Sequence, residues 1–265
     1  MEYKLSSVHP DAKIGQNVEI GPFVTIDKDV VIGDGTKIMS GAVIFEGTRI
    51  GKNCRIFPHA VLGAVPQDLK FVGEYTTCEI GDNNTIREFV TINRGTKSTG
   101  RTVIGNNNLL MAYTHVGHDC ILGNNLIISN ATQFAGEVHV DDFAVIGGGS
   151  LLHQFTHIGS YVMLQGGTRV SKDLPPYVIA GGEPASYFGL NLVGLRRHGF
   201  SNDAINAIHD VYRIIYQGGM NTTQALDTAM ETLPQSAERD YIVKFIKECT
   251  RGIIPSCISR KIAPQ

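Results

Sequence analysis

The segment AYTHVGHDC carries His115, His118 and Asp119, residue types that together can move a proton. Imidazole is neutral near pH 7 and can take a proton from a hydroxyl. Asp119 follows His118 directly, so its carboxylate can orient the ring only if the chain folds back at that point. Gly136 lies eighteen residues after His118, and Gln154 eighteen after Gly136. A glycine there leaves space beside the imidazole and exposes a backbone N–H that can hold an oxyanion. Base, carboxylate and amide donor together describe an acyl-transfer site. His139 and His157 are also eighteen apart and are expected to form a polar stack on another column, with no metal bound. His153 adjoins Gln154, and surface roles are expected for His9, His59, His198 and His209.

A spacing of eighteen matters only if some element stacks such residues, and the apolar pattern supplies one. From Val8 an aliphatic anchor recurs every six residues: Ile14, Ile20, Ile26 and so on to Leu62. It returns at Ile80, Ile86 and Ile92, then runs from Ile104 to Val170 with Phe134 as its one aromatic. Six is the period of a left-handed parallel β-helix, each repeat giving one short strand and one corner. Three repeats make a coil, so residues eighteen apart stack about 4.8 Å apart. Positions two before the anchors, such as Thr36, Ala42, Thr48, Cys54 and Ala60, are small or β-branched and can point inward. Glycines after the anchors (Gly15, Gly33, Gly51, Gly81, Gly105, Gly123 and others) suit places where a Cβ would obstruct the turn. Asn130, Gly148 and Gly166 stack, as do Ala131, Gly149 and Gly167. They predict a bare outer strip close to His118, wide enough for an extended acyl chain.

Two polar segments, 64–79 and 93–103, interrupt the repeat without disturbing its phase and read as loops expelled from the prism. Past Val170 the segment SKDLPPYVIAGGEPAS ends the periodicity. Helical spacing follows, with Ser201, Asn221 (paired with Gln224) and Ser236 as caps and Gly252 as a C-cap. The expected organisation is therefore mainly β, with a β-helix over 1–190 and a C-terminal α-helical domain over 191–265 that covers the lower end of the prism. Arg196, Arg197, Lys244, Lys247, Arg251, Arg260 and Lys261 gather positive charge there. The net charge of -2 gives no footprint for nucleic acid. Five cysteines without a CxxC pair, no hydrophobic leader and no long apolar run lead to the expectation of a reduced, cytoplasmic protein.

The repeats, PQDLK (66–70), HVGHDC, VDDFAVIGG (140–148), HQF (153–155), DLPPYVIA (173–180) and FGLNLVGLRRHGFS (188–201) together resemble the UDP-N-acetylglucosamine acyltransferase family of lipid A biosynthesis, over essentially the whole chain. The resemblance implies transfer of an R-3-hydroxyacyl group from acyl carrier protein to the glucosamine 3-OH of UDP-N-acetylglucosamine, without a cofactor, by a homotrimer whose sites lie between prisms. It implies His118 as general base, Asp119 as its orienting partner and Gly136 N–H as oxyanion donor. Gln67, Asp68, Lys70, His115 and His153 match positions around the sugar and acyl chain, with Gln154 nearby, and Asn191 and Arg197 match the nucleotide side. Gly148 and Gly166 line the acyl groove, and glycine at 166 implies a long chain. Asn93, Glu137 and Pro184 stand where histidines are usual, Val193 where an acidic residue is usual, and His198 where a second arginine is usual.

Other readings of the residues remain at this stage. One is another hexapeptide acyltransferase, for example one using acetyl-CoA. A zinc hydratase of the γ-carbonic-anhydrase kind requires three converging histidines. A non-catalytic scaffold would be indifferent to loss of His118.

Overall fold

The computed structural model describes residues 5–257, so Arg260 and Lys261 lie outside the described residues. Strands mostly two residues long stack into three sheets with parallel pairing throughout the repeats. Sheet A has nine strands from Ser7–Val8 to Arg169–Val170, and sheet B has eight from Lys13–Ile14 to His157–Ile158. Sheet C has ten, from Glu19–Ile20 to Ser186–Leu190. The chain visits A, B and C in turn, so the anchors project into one narrow core. Ile44, Ile56, Leu62, Ile86, Val116, Phe134 and Ile146 are fully buried, as are the residues two before each anchor, Thr36, Ala42, Thr48, Cys54 and Ala60. Each buried aliphatic side chain contributes roughly 1.5–3 kcal/mol, repeated coil after coil.

The pairing offset is eighteen in the upper coils (Thr25 with Val43, Val43 with Val61) and again from His115 with Gln133 downward. Between them it is thirty for Val61 with Thr91, then twenty-four for Thr91 with His115. The two excursions therefore add twelve and six residues, whole multiples of the repeat, which is why the anchors keep their phase. Their ends remain in strands (Val61–Ala64, Thr77–Ile80, Thr91–Asn93, Arg101–Ile104), so the expelled segments are shorter than expected. Both leave the corner between sheets A and B.

The corners correct one expectation. The left-handed residue lies three before nearly every anchor and is often not glycine: Asn53, Asn83, Asn107, Asn125, Asp119 and Glu137 all have φ between 54° and 60°. The glycine that follows many of the anchors answers a different constraint. A Cβ on Gly33 would stand 2.5 Å from the Gly51 carbonyl carbon in the next coil.

The prism does not stop at Val170. Val178–Gly181 adds a further parallel strand beside Met163–Leu164, and Ser186–Leu190 closes that sheet in antiparallel fashion. Helices follow: α1 (Leu192–Arg197), α2 (Asn202–Gln217), α3 (Thr222–Thr232) and α4 (Ala237–Glu248). Ser201 and Ser236 cap α2 and α4, and Asn221 with Gln224 forms a capping box on α3. The C-cap of α4 is Cys249, not Gly252. The six-residue α1 was not expected, being too short to show a periodicity. Tyr212 of α2, fully buried, donates to the Pro176 carbonyl at 2.6 Å, and Phe200 and Tyr241 pack edge-on against Tyr177, so the helices seat on the lower coils. Among the described residues no helix is long and apolar enough to cross a membrane.

Replacing Gly33 with alanine forces backbone of adjacent coils apart and is expected to cost about 1–3 kcal/mol. Gly149→Ala has a left-handed φ of 68° but open space around its Cβ, and carries only the strain of that φ, about 1–2 kcal/mol. Thermal unfolding of the two variants checks whether Gly33→Ala is the more destabilised.

Candidate active site

His118 sits at the corner after the sheet A strand His115–Val116, directly below the corner from which both excursions emerge. The next residue, Asp119, adopts φ 60°, and this left-handed step folds its side chain back so that His118 Nδ1 and Asp119 Oδ2 are 2.8 Å apart. The Asp119 carboxylate is held from the second excursion. Thr96 Oγ1 donates to Oδ2 at 2.7 Å, while Thr96 N–H, Thr99 N–H and Thr99 Oγ1 donate to Oδ1 at 3.0, 3.2 and 2.6 Å. Burial would raise this carboxyl's pKa, but the hydrogen bonds from Thr99, Thr96 and His118 outweigh it and hold it below the ordinary value. Asp119 is therefore an anion at neutral pH that fixes the Nδ1–H tautomer of His118 and leaves Nε2 as acceptor.

The imidazole lies against Gly136, one coil on, where a Cβ would meet Cε1 and Nε2 of the ring at 2.5 Å. Any larger residue there displaces the His118 ring. The amides flanking Gly136 are committed, Ala135 N–H to Leu152 and Glu137 N–H to His118, whereas Gly136 N–H makes no hydrogen bond among the described residues. A cavity of about 460 Å³ joins His118 and Gly136 to Gln67, Asn93, His115, Gln133, Leu151 and Gln154. His115 Nδ1 bonds Thr91 Oγ1 at 2.7 Å, and burial lowers its pKa, so the ring stays neutral at pH 7. Asn93 Nδ2 donates to Val65 O at 3.0 Å and ties the two excursions together at the roof. An adjoining cavity of about 480 Å³ holds Asp68, Lys70, Glu74, Lys97 and Glu137 and shares Gln154.

Of the residues singled out from sequence, His118, Asp119, Gly136, Gln67, His115 and Gln154 thus come together, with Asp68 and Lys70 next door. His153 does not join them. Its Nδ1 lies 2.9 Å from its neighbour's carbonyl, Gln154 O, and it lines an apolar pocket of about 420 Å³ with Leu151, Leu152, Arg169 and Pro184, lower on the same outer face. Gly148 and Gly166 stack as expected, a Cβ on Gly166 lying 3.0 Å from Gly148 O. They follow sheet C strands, however, and so occupy the corner at the opposite end of sheet A from His118, not a strip beside it. The eighteen-residue register gives height along the prism, and these residues differ from His118 in corner. Asn191 is engaged locally: its Oδ1 accepts from Gly194 N–H and caps α1, and its Nδ2 donates to Tyr161 O at 2.9 Å. Arg197 is exposed in the last turn of α1, and neither it nor Asn191 lines the His118 cavity. Val193 is exposed, and His198 packs edge-on to Phe143 and Tyr161.

The sequence did not single out Thr91, Thr96 and Thr99. Their relation to His115 and Asp119 crosses the inserted segments, where a count of eighteen fails; the hydroxyl-rich run NRGTKSTGRT was the available signal.

Residues 173–254 match the profile of the family described as UDP-N-acetylglucosamine O-acyltransferase, domain 2. The bacterial transferase hexapeptide profile matches at 11–46, 29–64 and 101–136. An acyl-[acyl-carrier-protein]–UDP-N-acetylglucosamine O-acyltransferase of Pseudomonas syringae is 47% identical over 93% of this chain and 96% of its own length. One from Thermodesulfovibrio yellowstonii is 44% identical over 95% and 98%. The crystal structure of the UDP-N-acetylglucosamine acyltransferase of Bacteroides fragilis superposes with a TM-score of 0.93 at 58% identity, covering 96% of this chain and all of the other. With similarity running through prism, excursions and helices alike, the chain belongs to the acyl carrier protein-dependent UDP-N-acetylglucosamine O-acyltransferase family.

Proposed function

We propose that this protein transfers a long R-3-hydroxyacyl group from acyl carrier protein to the glucosamine 3-hydroxyl of UDP-N-acetylglucosamine, the first step of lipid A biosynthesis, in the cytoplasm and without a cofactor. The observation that carries the reading is one cavity holding an Asp119-oriented His118 against an unpaired Gly136 N–H.

The steps follow from that geometry. His118 Nε2 accepts the proton of the 3-hydroxyl as its oxygen attacks the thioester carbonyl carbon. The carbonyl π electrons move onto oxygen, and Gly136 N–H stabilises that oxyanion. As the intermediate collapses, the C–S bond breaks and the carrier's thiolate takes the proton from His118, now an imidazolium steadied by Asp119. Gln67, Asp68, Lys70 and His115 surround the acceptor sugar, with Gln154 at the junction of the two cavities.

The acyl chain leaves along the outer face of sheet A, past Leu151 toward the pocket at His153 and Pro184. In the homotrimer that the family resemblance implies, the bare corner of Gly148 and Gly166 on one copy closes this groove on the next. Asn191 and Arg197 reach the nucleotide side in the same assembly. The separation of those residues from His118 within one chain supports such a shared site.

Substituting His118 with alanine is expected to lower kcat at least about a hundredfold with the fold retained; near-normal turnover contradicts the mechanism. Asp119 has a depressed pKa in the folded protein, so its contribution to stability is present above the unfolded value and lost as pH falls through the folded one. Removing the hydroxyl donors in a Thr96→Val, Thr99→Val double variant raises the folded value. Acid unfolding followed by circular dichroism should accordingly begin at higher pH than in the parent.

A further inference from the structure

Sheet B carries a second group of ligating side chains, one face away from the His118 corner. His139 and His157 are paired across adjacent strands, and their rings stack with centroids 4.3 Å apart and planes within 2°. Spacing alone predicts a polar stack at this pair. The structure adds Asp141, which faces outward on the other side of the anchor Val140. Its Oδ1 lies 3.0 Å from His157 Nε2 and 3.4 Å from His139 Nε2.

We propose that His139, Asp141 and His157 form a binding site for a divalent transition-metal ion of the zinc type, with water completing the coordination. Two imidazoles and one carboxylate are an established donor set for such ions. Ligands at about 2.0–2.1 Å from a tetrahedral centre stand about 3.3 Å from one another, close to the two N–O separations present here. The carboxylate is already oriented from behind. Asp141 Oδ2 accepts a hydrogen bond from Tyr241 of α4 at 2.7 Å, and the Tyr241 hydroxyl is itself fixed by Ser160 at 3.0 Å. A partner of this kind, binding the carboxylate oxygen that the metal does not use, sets ligand orientation.

Parallel rings cannot both aim a lone pair at one ion, so binding opens the stack. The asymmetry of the site shows which ring turns. His157, 25% exposed, is backed by Phe245 at 4.4 Å, whereas the His139 side chain is 46% exposed and free to tilt. A carboxylate set between two imidazoles supplies the negative charge that a divalent cation needs. Because Tyr241 and Phe245 belong to α4, an ion here ties prism and helical domain together at their junction. It lies on a different sheet from the acyl-transfer cavity and takes no part in that reaction.

Chelator-treated full-length protein titrated calorimetrically with Zn²⁺ at pH 7.5, with Co²⁺ absorption as a second readout, tests the site. One Zn²⁺ per chain is expected, with a rise in the thermal midpoint and intense visible Co²⁺ bands from four-coordinate geometry. His139→Ala, at an exposed position, should abolish all three. Tyr241→Phe, which keeps every ligand, should weaken binding about tenfold or more. Failure of the parent to bind Zn²⁺, or a stoichiometry and Co²⁺ spectrum unaltered by His139→Ala, overturns the proposal.

Discussion

The whole structure depends on the backbone hydrogen bonds that run from each coil to the next. Gly117 N–H donates to Phe134 O at 3.0 Å and Ala135 N–H to Leu152 O at 3.1 Å, and equivalent bonds repeat along the prism. They fix each coil's height and rotation on its neighbour, so an outward side chain has determined partners above and below. The corner between sheets B and C reinforces this with side chains: Asp82, Asn106, Asn124 and Asp142 each accept from the backbone N–H one coil above, at 2.6–2.8 Å. Whatever chemistry this scaffold performs has to be placed by the register.

The site shows how that constraint is used. Gly136 is under His118 because the coil is eighteen residues long, and it must be glycine because the ring occupies the Cβ position. The scaffold alone offers only an open face, and the two excursions turn that face into a cavity. Both leave the corner above His118, one bringing Gln67 to the wall and the other bringing Thr96 and Thr99 to Asp119. Since they add whole repeats, the prism resumes below them as if uninterrupted, and His118 keeps its height.

Much of this was legible in the chain itself. The six-residue anchors gave the β-helix and its core, and the uninterrupted stretch below Ile104 gave the column His118, Gly136, Gln154. Caps at Ser201, Asn221 and Ser236 located three helices. What escaped has physical reasons. Spacing reports height but not corner, hence Gly148 and Gly166 were placed beside His118 when they lie across sheet A from it. Contacts bridging the insertions, Thr91 with His115 and Thr96 with Asp119, are hidden because loop length alters the count. Helix α1 opens on Asn191 and is too short for an apolar stripe. Asp141 became visible as a partner of the histidine pair only once its carboxylate and both rings were seen to converge.

His118, the bare glycine corner, and Asn191 with Arg197 lie on separate parts of one chain's surface, so the proposed groove is assembled only if copies of the chain come together. A base oriented by an anion, a fixed amide donor and an apolar path leading away are what acyl transfer to a sugar hydroxyl requires. The most direct measurement supplies purified protein with UDP-N-acetylglucosamine and acyl carrier proteins bearing R-3-hydroxyacyl groups of graded length, and identifies the products. The account predicts acylation at the glucosamine 3-hydroxyl, with turnover favouring long chains. No transfer from any hydroxyacyl carrier, or transfer only from a short acyl donor such as acetyl-CoA, would contradict it.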